Sequence, residues 1–354
     1  MSPEDPQVFP AEGRYAAELR VAIAAVRHAS RVCRAVRASP GSGQAVTKAD
    51  LSPVTVADLA AEAVVSLALA DAFPNDPMMG EEDGRLLRDP SQAALADAVL
   101  AHVATARPDI GALEVATALD RCSDEGGPGR RWWSLDPVDG TKGFLRNEQY
   151  AVALALVIDG EVVLGVLGCP NLPVSFDEAS STTEPPSVGC LFAAEVGGGT
   201  WRLPLEAGPE AAFEEARRVR VALLTDPRQA RYAESVEAGH SAQDVAARIA
   251  ERLGVTAPPV RMDSQVKYAV VARGEASIYL RVPHGEYREN VWDHAAGAIV
   301  VTEAGGLVTD VVGAPLDWTT GRRLTRNRGV IAAPAAIHGA VVAAAREVFR
   351  DRGM

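Results

Sequence analysis

The stretch RWWSLDPVDGTKGF, residues 131–144, decides how this chain is to be read. Five residues of strand-like character run into two aspartates, Asp136 and Asp139, and then at once into glycine, threonine, lysine and glycine. Asp, Pro and Gly are ordinary turn formers, so on its own the segment reads as a surface turn. A strand ending in D-P-x-D can also present both carboxylates at its tip, with the Val138 carbonyl between them. Gly140 then permits close backbone approach, Thr141 offers a hydroxyl, and a helix starting there would turn free N–H groups toward an anion.

Three other acidic clusters accompany it. KADLSPVTVAD supplies Asp50 and Asp58, MMGEED supplies Glu81, Glu82 and Asp83, and VWDHAAG supplies Asp293. Taken singly, each reads as a solvated loop, a turn or a helix-capping residue. Together, each at an element edge beside Gly or Pro, they form a candidate binuclear site for hard cations. Such ions take oxygen ligands from a few carboxylates, water and substrate phosphate.

The bulk composition narrows the alternatives. The chain has 354 residues, enough for two lobes, with 47% hydrophobic and 23% charged residues. A formal charge of -12 opposes nonspecific binding to nucleic acid or acidic membranes. A metal site can still invert the local sign for a small polyanion. The longest uncharged apolar run, Tyr150 to Ile158, is half of the ~18 residues that a membrane span needs. The acidic, proline-rich start MSPEDPQVFP is unlike a secretory leader, and four scattered cysteines without a CxxC suit reduced thiols. A cytoplasmic protein is expected.

Periodicity predicts helices over Arg14–Ala38, from an N-cap at Thr55 with Asp58 as its acidic third residue to Ala72, over Ser91–Ala106 and over Ala112–Cys122. Strands are predicted at Arg131–Leu135, Ala151–Ile158 and Val162–Leu167, the middle one buried on both faces. Residues 175–189 read as a polar excursion between strands. Farther on the pattern alternates. A strand is expected near Val219–Leu224, a helix near Ala242–Leu253, a helix from Ser264, and a strand at Ser277–Val282. A helix at about Trp292–Ala304, a strand near Leu307–Asp310 and a terminal helix after Pro334 complete the chain. This favours an α+β lobe over residues 1–217 and an α/β lobe over 218–354.

In order along the chain, GEED, DPVDGTKGF and WDHAAGAIVVTEAGG resemble the signature of the lithium-sensitive, magnesium-dependent phosphomonoesterases of the inositol monophosphatase superfamily. KADLSPVTVAD, SVEAGHS and DSQVKYAVVARGEASIYLRVP are similar to its 3′(2′),5′-bisphosphate nucleotidase branch, as are RNEQYAVALALV, GVLGCPNLP and NRGVIAA. The resemblance runs from about Lys48 to the last helix, with interruptions at 84–130 and 175–189. It implies an α/β sandwich of alternating α-β-α-β-α layers. It also implies hydrolysis of the 3′-phosphate of adenosine 3′,5′-bisphosphate, and possible action on the related phosphosulfate.

By the same resemblance, two or three Mg²⁺ ions would be held by Glu81, Asp136, the Val138 carbonyl, Asp139 and Asp293, with Asp136 as the bridge. Asp50 and Thr141 match the pair that orients the attacking water. Gly140 and Thr141 would meet the transferred phosphate, and His240, Ser264, Lys267 and Arg281 would hold the nucleotide and its second phosphate. Ser264 and Lys267, three apart in a predicted helix, would share a face. His294 reads as structural. Asn290 stands where relatives often carry lysine, and Gly239 where a second alanine is usual. The competing readings are an inositol phosphate or inositol polyphosphate 1-phosphatase of the same superfamily, and a noncatalytic nucleotide- or lithium-sensing protein. The oligomeric state is left open.

Overall fold

The computed structural model describes residue 9 and residues 13–39, 45–47, 53–174, 188–208, 213–236, 243–282 and 287–352, with backbone alone at 45–47, 53–55 and 243. Asp50 and His240 lie outside the described residues.

The first part of the chain runs α1 (Ala16–Ala38), β1 (Ala45–Thr47), β2 (Pro53–Thr55), α2 (Val56–Ala72), β3 (Met78–Met79), α3 (Arg85–Arg88), α4 (Ala93–Ala104) and α5 (Ala112–Asp120). β4 (Arg131–Asp139), α6 (Thr141–Arg146), β5 (Ala151–Ile158), β6 (Glu161–Pro173), β7 (Val188–Glu195), β8 (Gly199–Pro204) and β9 (Arg217–Val219) follow. The remainder is β10 (Tyr232–Glu234), α7 (Gln243–Leu253), β11 (Val260–Arg261), α8 (Val266–Ala272), β12 (Ile278–Arg281), α9 (Ala295–Glu303), β13 (Gly306–Thr309), β14 (Val330–Pro334) and α10 (Ala335–Asp351).

Strands β3 to β9 form a seven-stranded sheet in chain order, antiparallel except for the parallel β3–β4 pair. A five-stranded mixed sheet has the order β11-β10-β12-β14-β13. In β5, Val152, Leu154 and Leu156 enter the core beneath α1 and α2, whereas Ala151, Ala153, Ala155 and Val157 enter the core on the other face. That is the period-2 alternation of a strand buried on both sides, as its unbroken apolar sequence predicts.

α9 explains the layering. Its sequence, AAGAIVVTE, is apolar nearly all round, and such a helix has to be buried on every side. It packs with α8 between the two sheets, contacting β5 to β8 on one side and β13 and β14 on the other. Small residues let it come close: a Cβ on Gly165 would lie 2.9 Å from the Ala296 carbonyl oxygen. α7 and α10 cover the outer face of the five-stranded sheet. The result is α-β-α-β-α, the layering the resemblance implies.

Several boundaries differ from the sequence reading. β4 does not stop at Leu135 but carries on through Asp139. The strand expected near Val219–Leu224 ends at Val219: β9 pairs with β8 and the chain then leaves that sheet, with residues 220–224 in no strand. Helix α9 begins at Ala295, so Asp293 lies in the turn before it rather than in its first turn. The strand expected beyond the polar excursion is β7, whereas β8, β10, β11 and β14 carry no clear signal in the sequence, being short or lying beside Gly-rich turns. Among the described residues, no helix is long and apolar enough to cross a membrane.

Candidate active site

The β4–β5 register sets the geometry. Asp136 pairs with Ala153 and Asp139 with Ala151, so β4 takes three steps where β5 takes two. Residues three apart on a regular strand face opposite sides of the sheet. The extra residue cancels that inversion and lets both carboxylates serve one side. Pro137, which has no N–H to give the ladder, falls inside this bulge, where its loss is tolerated.

The parallel β3–β4 pair brings in Glu81. Met79 is level with Ser134, which carries the chain beyond β3 toward the end of β4, where the Glu81 charge acts on Asp136. Asp58, in the first turn of α2, closes in from the helical layer. Thr141 opens α6 and donates its hydroxyl to the Val138 carbonyl at 3.2 Å.

The second half of the chain meets this strand end directly. Gly140 has φ of 89°, and a Cβ there would lie 2.9 Å from that of Ser264. Ser264 is itself left-handed, at φ 68°. The backbone N–H of the next residue, Gln265, donates to Asp139 Oδ2 at 2.5 Å. The Gln265 side chain donates to the Trp292 carbonyl at 2.9 Å and accepts from Gly297 N–H at 3.1 Å.

On β12, the Arg281 Nε is 2.8 Å from Glu289 Oε2, and its Nη2 is 3.6 Å from Asp293 Oδ2. His294, fully buried, contacts Glu289 at 3.2 Å and Tyr268 Oη at 2.7 Å, which matches its structural reading.

The electrostatics call for a cation. Asp136 is 2% exposed, and its Oδ1 has no hydrogen-bond partner among the described residues. Burial pushes its carboxyl well above the usual range, and the charges of Glu81, Asp139, Asp293 and Asp58 push it further. Asp293 is pushed up to about 6, by burial first, with Asp139 and Glu289 adding while Arg281 and His294 oppose. An orphaned buried carboxylate oxygen among further acids is costly unless positive charge joins it. The all-oxygen donor set fits a hard divalent cation.

Glu289, Asp293 and His294 also bring possible ligand atoms within 4.8 Å of one another. Arg281 is paired chiefly with Glu289, and both His294 ring nitrogens are engaged, so of this group Asp293 is the one whose charge is left to act on Asp136.

Of the residues singled out from sequence, Glu81, Asp136, Asp139 and Asp293 interact electrostatically around one point, and Val138, Gly140, Thr141 and Ser264 adjoin it. Ser264 is not in a helix with Lys267. Its left-handed backbone and the Gln265 N–H bond to Asp139 hold it outside α8, which starts at Val266. Lys267 is no solvated surface cation. It is 3% exposed, with Nζ 3.3 Å from the Met262 carbonyl and 5.3 Å from the centre of the Tyr279 ring. Gln265 and Glu289 escaped sequence reading, because a lone amide or acid outside an acidic cluster carries no local signal.

The model of the inositol monophosphatase family matches residues 15–350. A 3′(2′),5′-bisphosphate nucleotidase of Oryza sativa is 43% identical over 349 residues, spanning 96% of each chain. The nucleotidase of the same description from Emericella nidulans is 42% identical over 356 residues, covering 95% of this chain and 98% of its own. That of Schizosaccharomyces pombe is 41% identical over 348 residues, covering 94% and 96%. Among solved structures, the Thermotoga maritima IMPase aligns with a TM-score of 0.62 at 22% identity over 94% of this chain and 98% of that one. The inositol monophosphatase of Anabaena aligns at 0.56 and 21%, covering 93% and 95%. At such identities the structural likeness concerns the fold alone.

Proposed function

The chain belongs to the inositol monophosphatase family, and on that premise we propose that it hydrolyses the 3′-phosphate of adenosine 3′,5′-bisphosphate to AMP and phosphate. The same site is proposed to accept the analogue bearing a 5′-phosphosulfate. The observation that carries this reading is the juxtaposition at one point of two opposite features. The acidic set around Asp136, with its orphaned Oδ1, calls for cations, and the buried Lys267 and the partly exposed Arg281 lie beside it. A reacting phosphate can join the acidic side through metal while a second phosphate meets the basic side. The full-length identity to bisphosphate nucleotidases supports the nucleotide over an inositol phosphate.

We assign Glu81, Asp136, the Val138 carbonyl, Asp139 and Asp293 to holding Mg²⁺, two or three ions in all. When bound, the ions supply Lewis-acid stabilisation of the charge that develops in phosphoryl transfer. The protein's own residues do the rest. Thr141, whose hydroxyl is fixed on the Val138 carbonyl, and Asp50 orient the attacking water and take up its proton. Backbone amides at Gly140 and Thr141 face the transferring phosphoryl oxygens, where Gly140 removes the side chain that would block approach. Ser264, Lys267 and Arg281 hold the second phosphate, and His240 contacts the nucleotide. Arg281 suits this because its planar fork can keep one edge on Glu289 and offer another to phosphate. The division into lobes at 1–217 and 218–354, the cytoplasmic location and the absence of a nucleic-acid partner belong to the same proposal.

Substrate profiling tests it. With Mg²⁺ present, kcat/KM is compared for adenosine 3′,5′-bisphosphate, its phosphosulfate analogue and a panel of inositol phosphates. The nucleotides are expected to lead. A tenfold or greater preference for an inositol phosphate would overturn the substrate assignment, and phosphate release independent of divalent metal would overturn the ligand set.

A further inference from the structure

We infer that Gln265 is a positioning residue that locks the two halves of the acidic site into one frame. This rests on the metal-site reading above and assigns a role to a residue outside the ligand set. Gln265 is 2% exposed, and three of its polar groups are spent across the site. Its backbone N–H meets Asp139 Oδ2 at 2.5 Å, which fixes the last carboxylate of β4. Its side-chain amide spans the Trp292 carbonyl, at 2.9 Å, and the Gly297 N–H, at 3.1 Å. These two groups bracket Asp293 and the start of α9. One buried residue thus joins a ligand from the seven-stranded sheet to the turn that presents the ligand from the other half.

The local backbone is shaped for this contact. Ser264 adopts φ 68°, a conformation that L-residues other than Asn and Asp seldom take. Such strain persists where surrounding structure over-determines it, and here it turns the following N–H onto Asp139. Gly140 abuts Ser264, with room for no Cβ. The amide also matches its two partners in sense: Nε2 donates to a carbonyl and Oε1 accepts from an N–H. A carboxylate would reproduce only the second bond, and a thioether neither.

The test uses the full chain and two variants, Gln265→Met and Gln265→Glu, with Mn²⁺ as the metal probe. Calorimetric Mn²⁺ titration, thermal melting in chelator, and kcat and KM for adenosine 3′,5′-bisphosphate are measured on each. Losing a partner that orients metal ligands typically weakens metal binding by roughly 10- to 100-fold. The Met variant is expected in that range, with kcat falling in parallel and KM for the nucleotide changing less than about twofold; the Glu variant is expected to fall between it and the wild type. If either folded variant binds Mn²⁺ as the wild type does, and only its melting temperature drops, Gln265 is merely structural and the inference fails. Should the Met variant not fold, the Glu variant decides by the same criterion. Wild-type protein that neither binds Mn²⁺ nor releases phosphate would instead overturn the metal-site reading itself.

Discussion

Arg281 is held by Glu289 at 2.8 Å, nearer than its 3.6 Å approach to Asp293. Glu289 therefore limits how far the guanidinium neutralises Asp293. Burial alone would push Arg281 down, yet Glu289 foremost, with Tyr279, Asp293 and Tyr287, leaves it well above its ordinary range. Replacing Glu289 with Gln retains the shape and a possible contact to His294 but removes the charge. Arg281 should then turn toward Asp293. Removing one partner of a buried pair costs about 3–5 kcal/mol. We expect a lower melting temperature, a Mg²⁺ half-saturation raised about tenfold or more, and loss of kcat/KM for adenosine 3′,5′-bisphosphate. Metal titration of activity checks this; an unchanged Mg²⁺ requirement would refute the proposed division of Arg281 between the two acids.

Asp136 sets stability against function. Its raised carboxyl means that the folded state binds a proton more readily than the unfolded chain. Its penalty is therefore absent below the unfolded value and grows as pH rises toward the folded one. Asp136→Asn removes that penalty. In chelator the variant should melt at least about 2 °C above wild type near neutral pH, with the gap closing as pH falls toward 4. Added Mg²⁺ should raise the wild-type melting temperature, as any ligand specific to the folded state does, and leave the variant's unmoved. Its turnover should fall by several orders of magnitude, as should that of Asp139→Asn.

The sites that sequence made legible are those where chemistry and local pattern coincide. DPVDG marks a strand end and a pair of carboxylates in consecutive residues, and Thr55 with Asp58 marks the start of α2. The apolar run of β5 announces its own burial. Ser264 misled because SQVKYAVVA has helical periodicity throughout, whereas a tertiary bond that the Gln265 N–H donates to Asp139 decides where the helix starts. Gln265 and Glu289 were illegible for a related reason. Their partners lie on other elements, up to 126 residues away for the Asp139 bond, and nothing in their own neighbourhoods encodes that. The short strands β10, β11 and β14 take their pairing from the sheet and not from their few residues.

Gly140 is one of the points at which the strand end of β4 presses on the second part of the chain. At φ 89° an alanine would pay about 1–2 kcal/mol for the left-handed backbone. Its Cβ would also press on Ser264 Cβ at 2.9 Å, where neither backbone can easily give way. Gly140→Ala should fold with a modestly lower melting temperature. Displacements of about 1 Å at a reacting centre can cost around 100-fold in rate, so kcat should fall by one to two orders of magnitude. A variant with wild-type kcat would show that the strand–helix junction lies outside the reacting geometry.

Lys267 should leave its mark on the pH profile. Burial drives it down to about 8, with Asp139 pulling it up and Arg281 pushing it lower. A lowered amine is charged below that value and neutral above it, so the proposed hold on a second phosphate would be present at pH 7 and fade as pH rises through 8. Because kcat/KM follows the free enzyme's ionisations, that parameter for adenosine 3′,5′-bisphosphate should fall above about pH 8. Charged hydrogen bonds are worth about 1.5–3 kcal/mol, so Lys267→Met should lower kcat/KM roughly 10- to 100-fold near pH 7 and flatten this alkaline limb. With adenosine 3′-phosphate, which lacks the second phosphate, both the limb and the effect of the substitution should shrink. An equally steep limb in Lys267→Met would assign it to another group and remove Lys267 from the substrate site.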